Sequence, residues 1–168
     1  MVPDGDTIFC DSGSTTMELV RALAPRREVT IITNDYSIAA EAERLISGCT
    51  VILLGGKVRS GFHYTMGTPT VQMLSQLSAP IAFLAASAFS FDRGFTVHTL
   101  ELATFKRTMI ERSERQVLLL DASKIGMFTM ATFAQLDDIS AIITDKGIPE
   151  HDRRLIEEHD GGPELIMV

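Results

Sequence analysis

The sequence predicts an α/β domain with a mostly parallel sheet flanked by helices. Two observations predict it. Short β-rich runs alternate with amphipathic stretches, and the β-rich runs are apolar nearly throughout. A run with few polar positions suits a strand buried on both faces, as parallel strands are when helices cover the sheet. The βαβα order then implies right-handed crossovers between parallel neighbours.

The elements follow in order. Met1 to Asp6 reads as a turn that leads straight into a first strand, Thr7–Cys10. Met17, Val20 and Leu23 fall on one helical face behind it. Val29–Thr33 is a second strand, and Ile38, Ala42, Leu45 and Ile46 mark the next helix. Thr50–Leu54 and Ile81–Ala85 are further strands, and Leu102, Phe105, Met109 and Ile110 share the face of a later helix. Val117–Leu120 and Ala141–Thr144 continue the sheet, with Leu165–Val168 as a further strand. Neither an internal repeat nor a Pro/Gly/Ser linker divides the chain, so residues 1–168 are expected to form one domain. The abrupt first strand leads us to expect a further element upstream in the full-length protein.

Composition narrows the function. The chain is 45% hydrophobic and 22% charged, as an ordinary globular protein is. Its formal net charge is −7. DNA is gripped mainly by neutralising phosphates with Lys and Arg, so this domain is not expected to hold a duplex by itself. No apolar run is long enough to cross a bilayer and no signal-peptide pattern opens the chain, which predicts a cytoplasmic protein with no membrane partner. Cys10 and Cys49 end apolar runs without forming a CxxC pair, and are read as small buried hydrophobes rather than a disulfide framework. His63, His98, His151 and His159 show neither HxxxH nor HExxH spacing, so no metal site is expected. No GxSxG elbow points to a hydrolase, and no cofactor is called for.

The most informative stretch is Asp11-Ser12-Gly13-Ser14-Thr15-Thr16, between the first strand and the first helix. Ligands of open α/β sheets bind outside the carboxyl ends of the strands, where this loop must lie. A helix N-terminus offers unpaired N–H groups and a positive dipole end to phosphate, Gly13 permits close backbone approach, and the hydroxyls add donors. The competing reading is a capping box, with Thr15 followed three residues later by Glu18. Neither a GxxxxGK[ST] nor a GxGxxG motif is present, so the anion belongs on a small metabolite rather than a nucleotide. Thr33-Asn34, Gly55-Gly56 and Asp121-Ala122-Ser123-Lys124 also follow strands and would converge on the same edge. Lys124 would then stand beside the phosphate and Asp121 accept from sugar hydroxyls; alternatively Asp121 caps a helix and Lys124 is a solvated charge. Glu101, Lys106, Arg107, Glu111 and Arg112 read mainly as a solvated helix face. Phe89, Phe91, Phe95 and His98 read as an aromatic-rich loop, either a lid or a subunit contact.

Together these segments resemble the sensor domain of DeoR-type transcription regulators. The resemblance is carried by residues 4–16, then Ile32-Thr33-Asn34, Leu54-Gly55-Gly56-Lys57-Val58-Arg59, Gly67, Phe83-Leu84, Gly94-Phe95-Thr96, Lys106 to Ile110, residues 121–126 and Ile142 to Asp145. It covers almost the whole chain in the family's order. It implies a Rossmann-like fold similar to ribose-5-phosphate isomerase and a phosphorylated sugar or related metabolite as effector. It also implies a homo-oligomer that reaches DNA only through an N-terminal winged helix-turn-helix, absent from this sequence. Carried over, Ser12, Gly13, Ser14, Thr15 and Thr16 would contact the phosphate, with Asp11, Asp121, Lys124 and Lys106 beside the sugar. The segment Ala85 to Phe91 lacks a glycine common in the family, and His63-Tyr64-Thr65-Met66 is unusual for it. Both are candidate lining segments, so they bear on which effector is bound.

Three functions compete at this point. The first is a non-catalytic sensor acting by population shift. The second is a sugar-phosphate isomerase, which needs a general base drawn from Asp11, Asp121 or Glu101. The third is a scaffold domain without a ligand.

Overall fold

The computed structural model describes residues 1–168. In chain order its elements are β1 (Thr7–Cys10), α1 (Ser14–Ala22), β2 (Thr30–Thr33), α2 (Tyr36–Leu45), β3 (Thr50–Leu53), β4 (Lys57–Arg59), β5 (Tyr64–Met66) and α3 (Thr68–Ser75). They continue with β6 (Ala79–Ala85), β7 (Ala88–Ser90), β8 (Gly94–Val97), α4 (Leu100–Glu111), β9 (Ser113–Leu120), β10 (Ala131–Ala134), β11 (Ala141–Thr144), α5 (Glu150–Glu157) and β12 (Glu164–Met167).

Seven strands form one sheet in the order β12-β11-β9-β6-β1-β2-β3, and every neighbouring pair is parallel. From β1 the chain winds outward to β3, then returns to β6 and winds the other way. The order therefore reverses between β1 and β6, and a crevice opens there at the strands' carboxyl ends.

The apolar runs are explained by burial on both faces. Along β1, Phe9 points to one side while Ile8 and Cys10 point to the other. Leu84, Leu118, Leu120 and Ile142 share the side of Phe9, where Leu74 of α3 and Phe105 and Met109 of α4 cover them. Ile31, Ile81, Phe83, Val117 and Leu119 face the opposite side, under Val20 of α1 and Ile38 and Ala42 of α2.

The predicted main-sheet strands all form, with ends moved by a few residues. β6 and β9 begin earlier, at Ala79 and Ser113, and the last strand is Glu164–Met167. Other parts differ from expectation. The segment read as an aromatic loop is the hairpin β7–β8, joined by β10 into a three-stranded antiparallel sheet. Phe89 and Phe95 are fully buried and stacked, with centroids 4.5 Å apart, so they are core rather than lid. The helices α3 and α5 and the hairpin β4–β5 carried too short a pattern to be expected. Cys10 is buried, whereas Cys49 is only partly so.

Candidate functional site

The crevice beside the β1–β6 reversal is a cavity of about 550 Å³. Its lining comes from separate parts of the chain. Ser12, Gly13, Ser14 and Thr15 follow β1; Arg59, Phe62 and Tyr64 come from the β4–β5 hairpin; Ala85 ends β6, and Ala86 and Ser87 follow it. Val97 ends β8, His98 lies in the link that follows, Leu102 and Lys106 come from α4, and Lys124 from the 3-10 turn Ala122–Lys124 after β9.

The loop after β1 is built to leave donors free. The N-cap of α1 is Gly13, at φ 130°, and no side chain caps the helix. Helices α2 and α4 differ: Asp35 accepts from the amides of Ser37 and Ile38, and Thr99 from that of Leu102. The first N–H groups of α1 have no intrahelical acceptor, so they face the crevice available to an anion. The competing Thr15–Glu18 capping box does not form. Thr15 is exposed on the cavity wall, and Glu18 pairs with Arg21.

Asp11 lies beneath this loop, fully buried. One carboxylate oxygen accepts the Ser12 amide at 2.8 Å. The other accepts the Ala85 amide at 2.9 Å and the Lys106 ammonium. Lys106, expected on a solvated face, is buried with only 4% of its surface exposed, and its ammonium also stands 5.7 Å from the Phe133 ring centroid. The pair ties β1, β6 and α4 together under the cavity floor. Burial and the neighbouring Asp11 charge push the adjacent Cys10 thiol well above the usual thiol range.

Of the sequence-predicted residues, Ser12, Gly13, Ser14, Thr15, Lys106 and Lys124 meet at the cavity. The others do structural work nearby. Thr16 turns its hydroxyl back to donate to the Gly13 carbonyl at 2.9 Å. Thr33 accepts the Asp35 amide, and Asn34 donates to the Thr65 carbonyl, bracing β5 against the end of β2. The Gly55 carbonyl accepts the Thr70 hydroxyl, and a side chain at Gly56 would collide with Thr70 and with the Met66 carbonyl. Those glycines let the β4–β5 hairpin sit on α3 and do not line the cavity. Asp121 is exposed and accepts the Ser123 amide at 2.8 Å, and hydrogen bonding from the Ser123 side chain and then its amide holds its carboxyl below the usual range.

The sequence singles out neither Arg59 nor Phe62 as a ligand-binding residue, although Arg59 lies within a motif, and His98 belongs to the segment read as a lid or a subunit contact. Tyr64 and Ser87 fell in the two segments singled out as candidate linings. Burial raises the Tyr64 phenol above its ordinary range, while Arg59 opposes that rise. Arg59 lies over the Phe62 ring at 4.7 Å. No group of three or more His, Cys, Asp or Glu side chains is placed to hold a metal ion, and no helix is long and apolar enough to cross a membrane.

The parallel sheet with its crevice over β1 is an isomerase-like α/β fold. Ribose-5-phosphate isomerase A from Methanocaldococcus jannaschii superposes with a TM-score of 0.50 at 17% identity, over 74% of this chain and 48% of that one. Sequence places the chain more closely. Residues 1–146 match the model of the DeoR C-terminal sensor domain, and the chain belongs to that family. It is 35% identical over 154 residues to a putative sgc region transcriptional regulator of Escherichia coli K12, covering 89% of this chain and 57% of the relative. It is 27% identical over 158 residues to the glycerol-3-phosphate regulon repressor of the same strain, covering 94% of this chain and 62% of the relative. The chain thus spans about three fifths of the length of these regulators.

Proposed function

We propose that this chain is the effector-sensing part of a transcriptional repressor of sugar metabolism. Its ligand is a phosphorylated sugar or a related phosphorylated metabolite. Binding favours one arrangement of a cytoplasmic homo-oligomer and so alters the DNA affinity of a longer protein that carries a winged helix-turn-helix. A two-fold assembly suits palindromic operators. The observation that carries this reading is the uncapped start of α1, which opens into a cavity flanked by Arg59 and Lys124. One relative is named for a glycerol-3-phosphate regulon, which agrees with a small phosphorylated ligand.

The three carboxylates weighed as the base of an isomerase are not placed for that role. Moving a proton between sugar carbons needs a base within hydrogen-bond reach of a C–H. No carboxylate lines the cavity. Asp11 already holds two amides and an ammonium, Asp121 stands outside the lining, and Glu101 lines a separate crevice beside α3.

Thermal unfolding against sugar phosphates, each paired with its unphosphorylated sugar, tests the proposal. A ligand at a hundred times its dissociation constant adds about 2.7 kcal/mol, enough to move the midpoint by several degrees. The expected result is a shift with a phosphate ester, absent with the bare sugar and reduced by Ser14→Ala or Lys124→Ala. If no phosphorylated compound moves the midpoint, the proposal fails.

A further inference from the structure

The cavity has cations at both ends. Lys124 comes from the turn after β9 and Arg59 from the hairpin after β3. In the sheet these strands lie on opposite sides of β1, two places away each. With neighbouring strands about 4.8 Å apart, β9 lies roughly 10 Å from β1, and on the other side the β4–β5 hairpin that carries Arg59 is bridged through Tyr64 to Asp35, after β2. The phosphate-accepting loop stands between them, because it follows β1 directly.

Neither cation is paired with a carboxylate, although Arg59 lies over the Phe62 ring and hydrogen-bonds the Tyr64 phenol. Arg21, Arg44, Arg107, Arg115, Arg153 and Arg154 each hold a carboxylate. Arg59 and Lys124 take part in no ion pair, although both are partly buried in the cavity wall. The third lining cation, Lys106, is neutralised by Asp11. A phosphate seated on the α1 amides has Lys124 beside it and gives Arg59, across the cavity, nothing to bind. Two unpaired charges flanking one crevice without a lining carboxylate call for a ligand that is anionic at both ends.

We infer that the effector is a phosphorylated sugar acid, with its phosphate on the Ser12–Thr15 loop beside Lys124 and its carboxylate on Arg59. The two ends differ in a way that assigns the groups. The loop end combines helix amides, hydroxyls and an ammonium, which suits a tetrahedral dianion. The far end has a single guanidinium, packed over Phe62, whose planar fork matches the two oxygens of a carboxylate. This inference rests on the effector-sensing reading above, because it takes the loop as the phosphate site.

The test is isothermal titration of the full chain with phosphorylated aldonic acids of four, five and six carbons. Each is compared with the aldose phosphate, the unphosphorylated acid and the bisphosphate of equal length. The expected result is that one acid phosphate binds at least tenfold more tightly than its aldose phosphate and its bisphosphate. Arg59→Leu brings the acid and aldose phosphates level, and Arg59→Lys retains part of the preference. Circular dichroism and an unchanged unfolding midpoint show that both variants fold. Equal binding of acid and aldose phosphates overturns the carboxylate assignment but leaves the sensor reading standing. So does a preference that survives Arg59→Leu, or a tighter bisphosphate. Failure of every phosphate ester to bind removes both.

Discussion

Asp11 and Asp121 each follow a parallel strand, β1 and β9, at the same edge of one sheet, yet their surroundings are opposite. Asp11 has no exposed surface and gathers the Ser12 amide, the Ala85 amide and the Lys106 ammonium. Asp121 is exposed and holds only its own turn, through the Ser123 amide. Position in the sheet explains the difference. β1 is flanked by β2 and β6 at the point of reversal, so residues following it are covered by loops from both sides. β9 lies farther out, and the turn after it is met mainly by Asp145, whose carboxylate accepts the Ala122 amide. The lesson is that a polar residue at a strand's carboxyl end contacts ligand only when the neighbouring loops leave it uncommitted.

The largest effect should come from breaking the buried pair. Asp11→Ala leaves the Lys106 ammonium and two amides without their acceptor. Removing one partner of a buried ion pair costs about 3–5 kcal/mol, whereas replacing both by apolar groups is often near neutral. We expect urea unfolding to show a loss of that size for Asp11→Ala, and a clear recovery in Asp11→Ala/Lys106→Met. A single variant that loses less than about 1 kcal/mol, the worth of an exposed pair, would remove the contrast with Asp121.

That pair also marks where sequence reading stopped. The strands were legible because both faces of the sheet are apolar, and α1, α2 and α4 because their buried positions recur with helical spacing. The Ser12–Thr15 half of the site was legible as hydroxyls and a glycine between a strand and a helix. The burial of Lys106 was not, since its neighbours Arg107 and Glu111 are surface charges that pair with each other. Arg59 escaped for a different reason. It sits on a three-residue strand of a small hairpin, and only the tertiary placement of that hairpin turns it toward the loop after β1. Gly55 and Gly56 carried a real signal, but for close packing against Thr70 and Met66 rather than for a ligand.

A smaller and more local readout comes from the residue before Asp11. Cys10 is fully buried, and burial with the Asp11 charge raises its thiol above the reactive range. Burial and Glu43 also raise the Cys49 thiol, but Cys49 is partly exposed. A disulfide reagent at neutral pH should therefore modify one thiol in the native protein and both in urea. If Asp11 holds this region closed, Asp11→Ala should speed Cys10 labelling on the order of a hundredfold for a loss near 3 kcal/mol. Labelling of native Cys10 as fast as Cys49 would show that the β1 end opens freely and that Asp11 clamps nothing.

The smallest effect belongs to Asp121. Asn caps a turn about as well as Asp, whereas Ala offers no acceptor. At neutral pH Asp121→Asn, which keeps an acceptor but loses the charge, should lower the urea midpoint less than Asp121→Ala, and both effects should be small. The acid limb gives the sign. The bonds from Ser123, and then the Lys124 charge, lower this carboxyl's pKa in the folded state. Its stabilisation is therefore fully present above the unfolded-state value near 3.9 and is lost as pH falls through the lower folded value. Wild type and Asp121→Ala should converge in that acid range, where the protonated carboxyl no longer favours the folded turn. A gap that widened toward acid would mean that Asp121 is stabilised in its protonated form. The exposed aspartate would then be engaged in something other than its own turn, and its separation from Asp11 would have to be drawn on different grounds.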